Sequence, residues 1–193
     1  MGAMELTVRE AAELSGVSAR SIEKAAEEGV VTKKVIQGSL RAIPSAHVPM
    51  HVVAYASVLK HTQGFHMSLS TKKRLFRCIR EFGDELGAFE PTPGVRLSVD
   101  TLAAEEWARA RNYVAAKGAY LESRADILGG EPIIKGTRIT CRSVLGRIED
   151  GDTLEDLCDD YDDIPREAFE AAIIYARTHP PRGRPVKGKP WRA

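Results

Sequence analysis

The sequence predicts a mainly α protein with short β-hairpins. Along most of the chain, apolar residues recur at helical spacing behind Ser, Thr or Asp positions that can cap a helix. Strict alternation is confined to brief stretches between glycine and proline clusters. Three scattered cysteines (Cys78, Cys141, Cys158) form no CxxC pair, so neither a disulfide framework nor a zinc site shapes the fold. With 193 residues, 43% of them apolar, the chain can bury an ordinary core.

The three residues ahead of Met4 read as a vector remnant, and the first expected domain covers 4–65. Thr7 caps a first short helix and Glu10, three residues on, completes a capping box. Gly16 breaks that helix, and Ser18 caps a second that runs to Gly29 with Ile22, Ala25 and Ala26 inward. Two short helices about a glycine turn make a helix-turn-helix candidate. Val30, Val31, Val35 and Ile36, then Leu40 to Ile43 beyond a polar break, read as a β-hairpin wing. The run TVREAAELSGVSARSIEKAAEEGVV resembles MerR-like and excisionase-like winged helix-turn-helix domains. That resemblance implies a second helix in the major groove, exposing Ser18, Arg20, Ser21 and Lys24, with Lys33, Lys34 and Arg41 near phosphates. Glu23, Glu27 and Glu28 on the same helix oppose phosphate, and a plain helical hairpin with a solvated face is the structural alternative.

Residues 66–125 form an expected helical middle region. Pro44 and Pro49 bracket a junction ahead of it, and Val52 to Leu59 read as a buried helix ended by Gly64. From Ser70 an amphipathic helix turns Leu75, Phe76, Ile79 and Phe82 inward. Lys72, Lys73, Arg74, Arg77 and Arg80 face outward, as a solvated face, a phosphate stripe or a docking strip. Glu90 to Gly94 is loop chemistry, and Val95, Leu97 and Val99 alternate as a strand. Asp100 or Thr101 then caps a helix with the stripe Ala103, Trp107, Ala110 and Val114, ended by Lys117-Gly118. Trp107 reads as a core anchor.

Residues 126–178 begin with two short apolar strands about a Lys135-Gly136 turn. Three helices follow: Arg142–Glu149; a second capped by Thr153 with Asp156, its inward stripe Leu154, Leu157, Cys158 and Tyr161; and a third begun at Pro165. The runs GGEPIIKGTRI, DGDTLEDLCDDYDDI and REAFEAAIIYAR resemble the domain-of-unknown-function 433 family, known as VapB-like antitoxins of type II toxin–antitoxin modules. The resemblance covers about a quarter of the chain. It implies a β-arm and a three-helix, homeodomain-like bundle, a neighbouring toxin such as a PIN-like ribonuclease, and, with the N-terminal half, repression of its own operon. The arm has two edges and no third strand nearby in sequence, which predicts a homodimer paired through Ile133, Ile134, Gly136, Thr137, Arg138 and Ile139. Arg138 suits a buried salt bridge or a functional contact.

Charge divides unevenly. The whole chain carries 28 basic and 27 acidic side chains, yet residues 126–178 hold 6 basic against 13 acidic and residues 179–193 hold 5 against none. Acid crowding from Asp150 to Asp163 repels phosphate, so DNA contact is assigned to the N-terminal half. The basic, Pro- and Gly-rich tail cannot build a core and is expected to be disordered alone. Arg182, Arg184, Lys187, Lys189, Trp191 and Arg192 are its candidate toxin-binding residues, the arginines pairing with a carboxylate cluster and displacing Mg²⁺ there, with non-specific nucleic-acid contact and an inert tail as the alternatives.

No catalytic motif stands out, and His47 and His51, four apart with Pro49 between, lack a third metal ligand. The expectation is a non-enzymatic cytoplasmic antitoxin without cofactor or metal, without a membrane segment, and repressing its own operon. A free-standing DNA-binding regulator with no toxin and a pure protein adaptor are the alternatives.

Overall fold

Thr7 begins the first helix as expected. Its hydroxyl accepts the Glu10 N–H at 3.2 Å, and Glu10 Oε2 accepts the Thr7 N–H at 2.7 Å, which defines α1 (Val8–Ser15). Gly16, at φ +64°, ends α1 in the left-handed conformation that side chains resist. Ser18 then accepts the Ser21 N–H and starts α2 (Ala19–Glu27). The computed structural model from which these contacts are read describes residues 5–40, 44–63 and 65–180.

The expected wing is corrected. Val30 and Val31 are buried and donate their N–H groups to the Ala25 carbonyl, so they wrap the end of α2 instead of starting a strand. Three strands, β1 (Glu5–Thr7), β2 (Lys34–Ile36) and β3 (Ser45–Pro49), form an antiparallel sheet in the order β1-β3-β2, with Leu6 opposite Val48 and Val35 opposite Ala46. The central strand is thus the stretch between Pro44 and Pro49 that reads as a junction. Pro44 precedes it and Pro49 closes it, positions where a missing N–H breaks little of the ladder. Of the stretch expected to form the second arm, Leu40 is buried outside any strand and 41–43 lie outside the described residues.

The middle region follows its periodicity with shifted ends. α3 (Val52–His61) is buried from Val52 to Val58, and Ser68 caps α4 (Leu69–Phe82), which turns Leu75, Phe76 and Ile79 inward. The expected loop at 90–94 is instead largely strand. β4 (Ala88–Thr92) pairs with β5 (Val95–Ser98) about Gly94 at φ +83°. A short α5 (Val99–Leu102) bends at Ala103 into α6 (Ala104–Tyr120), so neither Asp100 nor Thr101 caps the long helix. α6 also continues through Gly118. A glycine there costs about 1 kcal/mol relative to alanine, which the burial of Ala116 and Leu121 on either side offsets.

The C-terminal helices match expectation: α7 (Cys141–Glu149) capped by Thr140, α8 (Leu154–Asp160) with a Thr153/Asp156 capping box, and α9 (Arg166–Thr178) with Pro165 at its N-cap. Tyr161 departs from the predicted stripe, because α8 stops at Asp160 and the ring is 38% exposed. The arm has a third strand after all. β6 (Leu121–Glu122) pairs antiparallel with β7 (Ile133–Ile134), whose other edge meets Ile139 and Thr140.

One apolar core crosses the segment boundaries that composition marks. It joins Leu14 and Val53 to Trp107 and Tyr113 and on to Ile134, Phe169 and Ala172, with α9 packed on α7, α6 and α1. Among the described residues no helix is long and apolar enough to cross a membrane.

Candidate functional site

The α1–α2 corner holds α2 by Ile22 and Ala25, both buried, and leaves Ser18, Arg20, Ser21 and Lys24 on the outside. These are the residues the sequence assigns to DNA, and the structure brings them onto one face. Their cations are not idle. Arg20 grips Glu27 through two hydrogen bonds of 2.7 and 3.1 Å, and Lys24 stands 3.9 Å from Glu28. The hydrogen bond from Arg20 and its charge hold the Glu27 carboxyl below its usual range. Lys33 and Lys34 are exposed at the start of β2, with Lys34 3.7 Å from Glu5; Arg41 lies outside the described residues.

Other lysines approach from neighbouring helices. A Cβ at Gly16 would stand 2.9 Å from Lys60 Nζ, so the end of α3 lies over the α1–α2 turn, and Lys73 of α4 reaches Gly29 at the end of α2. Arg74 leaves the predicted cationic stripe for a structural role, donating to the carbonyls of Glu90 and Pro91 at 3.3 Å and stacking over Phe89.

Beneath this face lies a node that sequence reasoning missed. Glu10 is fully buried, and its Oε1 accepts the Tyr113 hydroxyl at 2.5 Å and Lys117 Nζ at 2.6 Å. Burial pushes its carboxyl up, but the Lys117 and His179 charges and the two hydrogen bonds outweigh that and hold it below its usual value. Burial and the adjacent carboxylate keep the Tyr113 phenol protonated well above its usual range. The signal was weak: Glu10 reads as a cap, and the α6 stripe turns toward Tyr113 and Ala116 where Val114 was expected. Nearby, the Tyr175 hydroxyl donates to the Leu40 carbonyl and its ring stacks on His179 at 4.1 Å.

The arm residues are placed as follows. Ile133 and Ile134 are buried inside the chain, the Thr137 hydroxyl accepts the Ile139 N–H and donates to the Ile134 carbonyl, and Gly136, at φ +78°, donates to Glu122. The edge expected to await a second copy is occupied by β6, so the dimer argument loses that premise. Arg138 is exposed and makes no ion pair among the described residues, which corrects its reading as a buried salt-bridge partner. On the acidic helices, Arg147 ties Asp152 to Asp160 and Arg166 ties Glu155 to Glu170. Arg182, Arg184, Lys187, Lys189, Trp191 and Arg192 lie outside the described residues.

His47 is buried on β3 with Nδ1 2.8 Å from the Ser45 carbonyl oxygen, while His51 packs against Trp107 at the start of α3. Among the described residues no group of three His, Cys, Asp or Glu side chains could hold a metal ion.

An uncharacterised protein, y4eO of Sinorhizobium fredii (strain NBRC 101917 / NGR234), is 34% identical over 71 residues, which is 37% of this chain and 32% of the relative. The chain thus spans about a third of the length of that curated relative. No solved structure matches. Residues 122–176, from β6 to the last turn of α9, match the family described as "Protein of unknown function (DUF433)".

Proposed function

We propose that this protein is the antitoxin of a type II toxin–antitoxin module, binding a PIN-like ribonuclease through its C-terminal part and operator DNA through α2. The observation that carries the reading is the direct packing of α9, from the family-matched segment, on α1, which supports α2. A partner held at the C-terminal end is thereby coupled through one core to the face that would meet DNA.

On DNA, the exposed Arg20–Glu27 and Lys24–Glu28 pairs exchange carboxylate for phosphate. Such pairs are weak in water, and counterion release from the duplex favours the exchange. Lys33 and Lys34 add positioning contacts beside the helix. The acidic α7–α9 surface stays away from DNA, and the basic tail beyond 180 suits a cluster of metal-binding carboxylates on the toxin.

Two measurements test this. A mobility-shift titration on the protein's own upstream region should show affinity falling steeply with salt, with a log–log slope shallower by about one for each phosphate contact removed by Lys24→Ala or Lys33→Ala. Co-expression with the adjacent gene product should give a co-purifying complex in which ribonuclease activity is silent. Removing residues 181–193, which leaves His179 stacked on Tyr175, should restore that activity. Salt-independent binding together with no co-purifying partner would exclude the reading.

A further inference from the structure

A cleft of about 500 Å³ opens between α2, the α1–α2 turn, α3 and the start of α4. Its volume lies within the range of small-molecule sites, ~300–1,000 Å³. The floor is apolar, with Ile22 and Leu59 among its residues, and Lys24, Lys60 and Lys72 stand around it. Glu28 is the sole acid among the described lining residues. Lys24 and Lys60 keep distant ion pairs, 3.9 Å to Glu28 and 3.6 Å to Glu106, whereas Lys72 has none among the described residues. Tyr55 also lines the cleft. Only 3% of the residue is exposed, and that part includes its hydroxyl, which has no hydrogen-bond partner among the described residues and opens to water. Burial and the Glu28 charge keep that phenol protonated, so it offers a hydrogen-bond donor to the cleft.

An apolar floor, one hydroxyl donor unpaired among the described residues and an excess of lysines describe one class of ligand. We propose that this cleft binds a small amphipathic anion, a carboxylate or sulfonate with an apolar body, whose acid group accepts from Tyr55 and pairs with Lys60 and Lys72. Ser18, Ser21 and Lys24 belong both to the cleft and to the face assigned to DNA. A bound anion therefore places negative charge where phosphate would approach and weakens DNA binding. That consequence, though not the binding itself, rests on the function proposed above.

The test uses the full chain and the fluorescent anion anilinonaphthalene sulfonate. The expected result is saturable one-to-one binding. Tyr55→Phe should weaken it about tenfold or more, the loss of a hydrogen bond to a charged group. Lys72→Gln should weaken it several-fold, and Ala56→Phe, which fills the cleft, should abolish it. A cooperative melt checks each variant, and Tyr55→Phe and Lys72→Gln decide the matter if Ala56→Phe fails to fold. Absence of saturable binding, or equal affinity in wild type and folded variants, overturns the proposal. So does a change of oligomeric state in the variants with probe affinity unaltered, since the cleft would then seat a second copy. Saturating probe should reduce affinity for the promoter fragment. Fragment binding indifferent to a bound probe overturns the regulatory half, and probe binding without any DNA binding removes the DNA-binding role while leaving the cleft.

Discussion

Helices α1 and α8 begin with the same local device in opposite surroundings. In each, a threonine hydroxyl accepts the N–H three residues on, at 3.2 Å for Thr7 and 3.1 Å for Thr153. In each, the carboxylate at that third residue accepts the threonine N–H, at 2.7 Å for Glu10 and 2.8 Å for Asp156. Asp156 is exposed and adds only the Thr153 hydroxyl, whereas Glu10 is sealed in the core and takes Tyr113 and Lys117 from α6. The motif decides where a helix starts. Burial decides whether its carboxylate also holds distant segments together.

The comparison is broken most readily at Glu10. Glu10→Ala leaves Lys117 and Tyr113 facing an empty buried site and removes half the cap, so chemical denaturation should show a loss of about 3–5 kcal/mol. A loss near that of an ordinary cap would mean that the node contributes nothing beyond α1. Acid acts on the same group. Because the folded carboxyl titrates below 4.5, its contribution is complete above that pH and is lost as pH falls through the lowered folded value. The stability gap between wild type and Glu10→Gln should therefore be widest near neutrality and close in acid. A gap that widens in acid would reverse the assigned sign.

Smaller effects sharpen the contrast. Tyr113→Phe keeps the ring and deletes one hydrogen bond to a buried carboxylate, for an expected loss of about 1.5–3 kcal/mol in the same assay. Thr153→Ala removes the matching exposed cap on α8, and a loss of about 1 kcal/mol is expected. Asp156→Asn keeps an acceptor oxygen, and its denaturation midpoint should be hardly distinguishable from wild type. A loss there as large as at Glu10 would erase the distinction between the two caps.

Legibility followed the range of the interaction. Both capping boxes, the Ser18 cap, the three C-terminal helices and the left-handed Gly16 and Gly136 were readable, since each depends on neighbours within a turn or two. The wing was misread because Val30 and Val31 have strand-forming side chains but are claimed by the end of α2. The central strand was missed because its two prolines looked like breakers, although they stand at its ends. Of the candidate site, the outward face of α2 was legible from periodicity. The Arg20–Glu27 grip, the cleft beneath Lys60 and the Glu10 node were not.

By itself the sequence determined the positions of most helices, their caps and the glycine turns, because these are contacts between residues a few places apart. Tertiary structure alone decided that 45–49 would lie between β1 and β2, that β6 would close the arm, and that Glu10 would meet a tyrosine 103 positions away. Those choices come from packing one face against another and from removing a charge from water only where partners converge, and neither is written in any short run of residues.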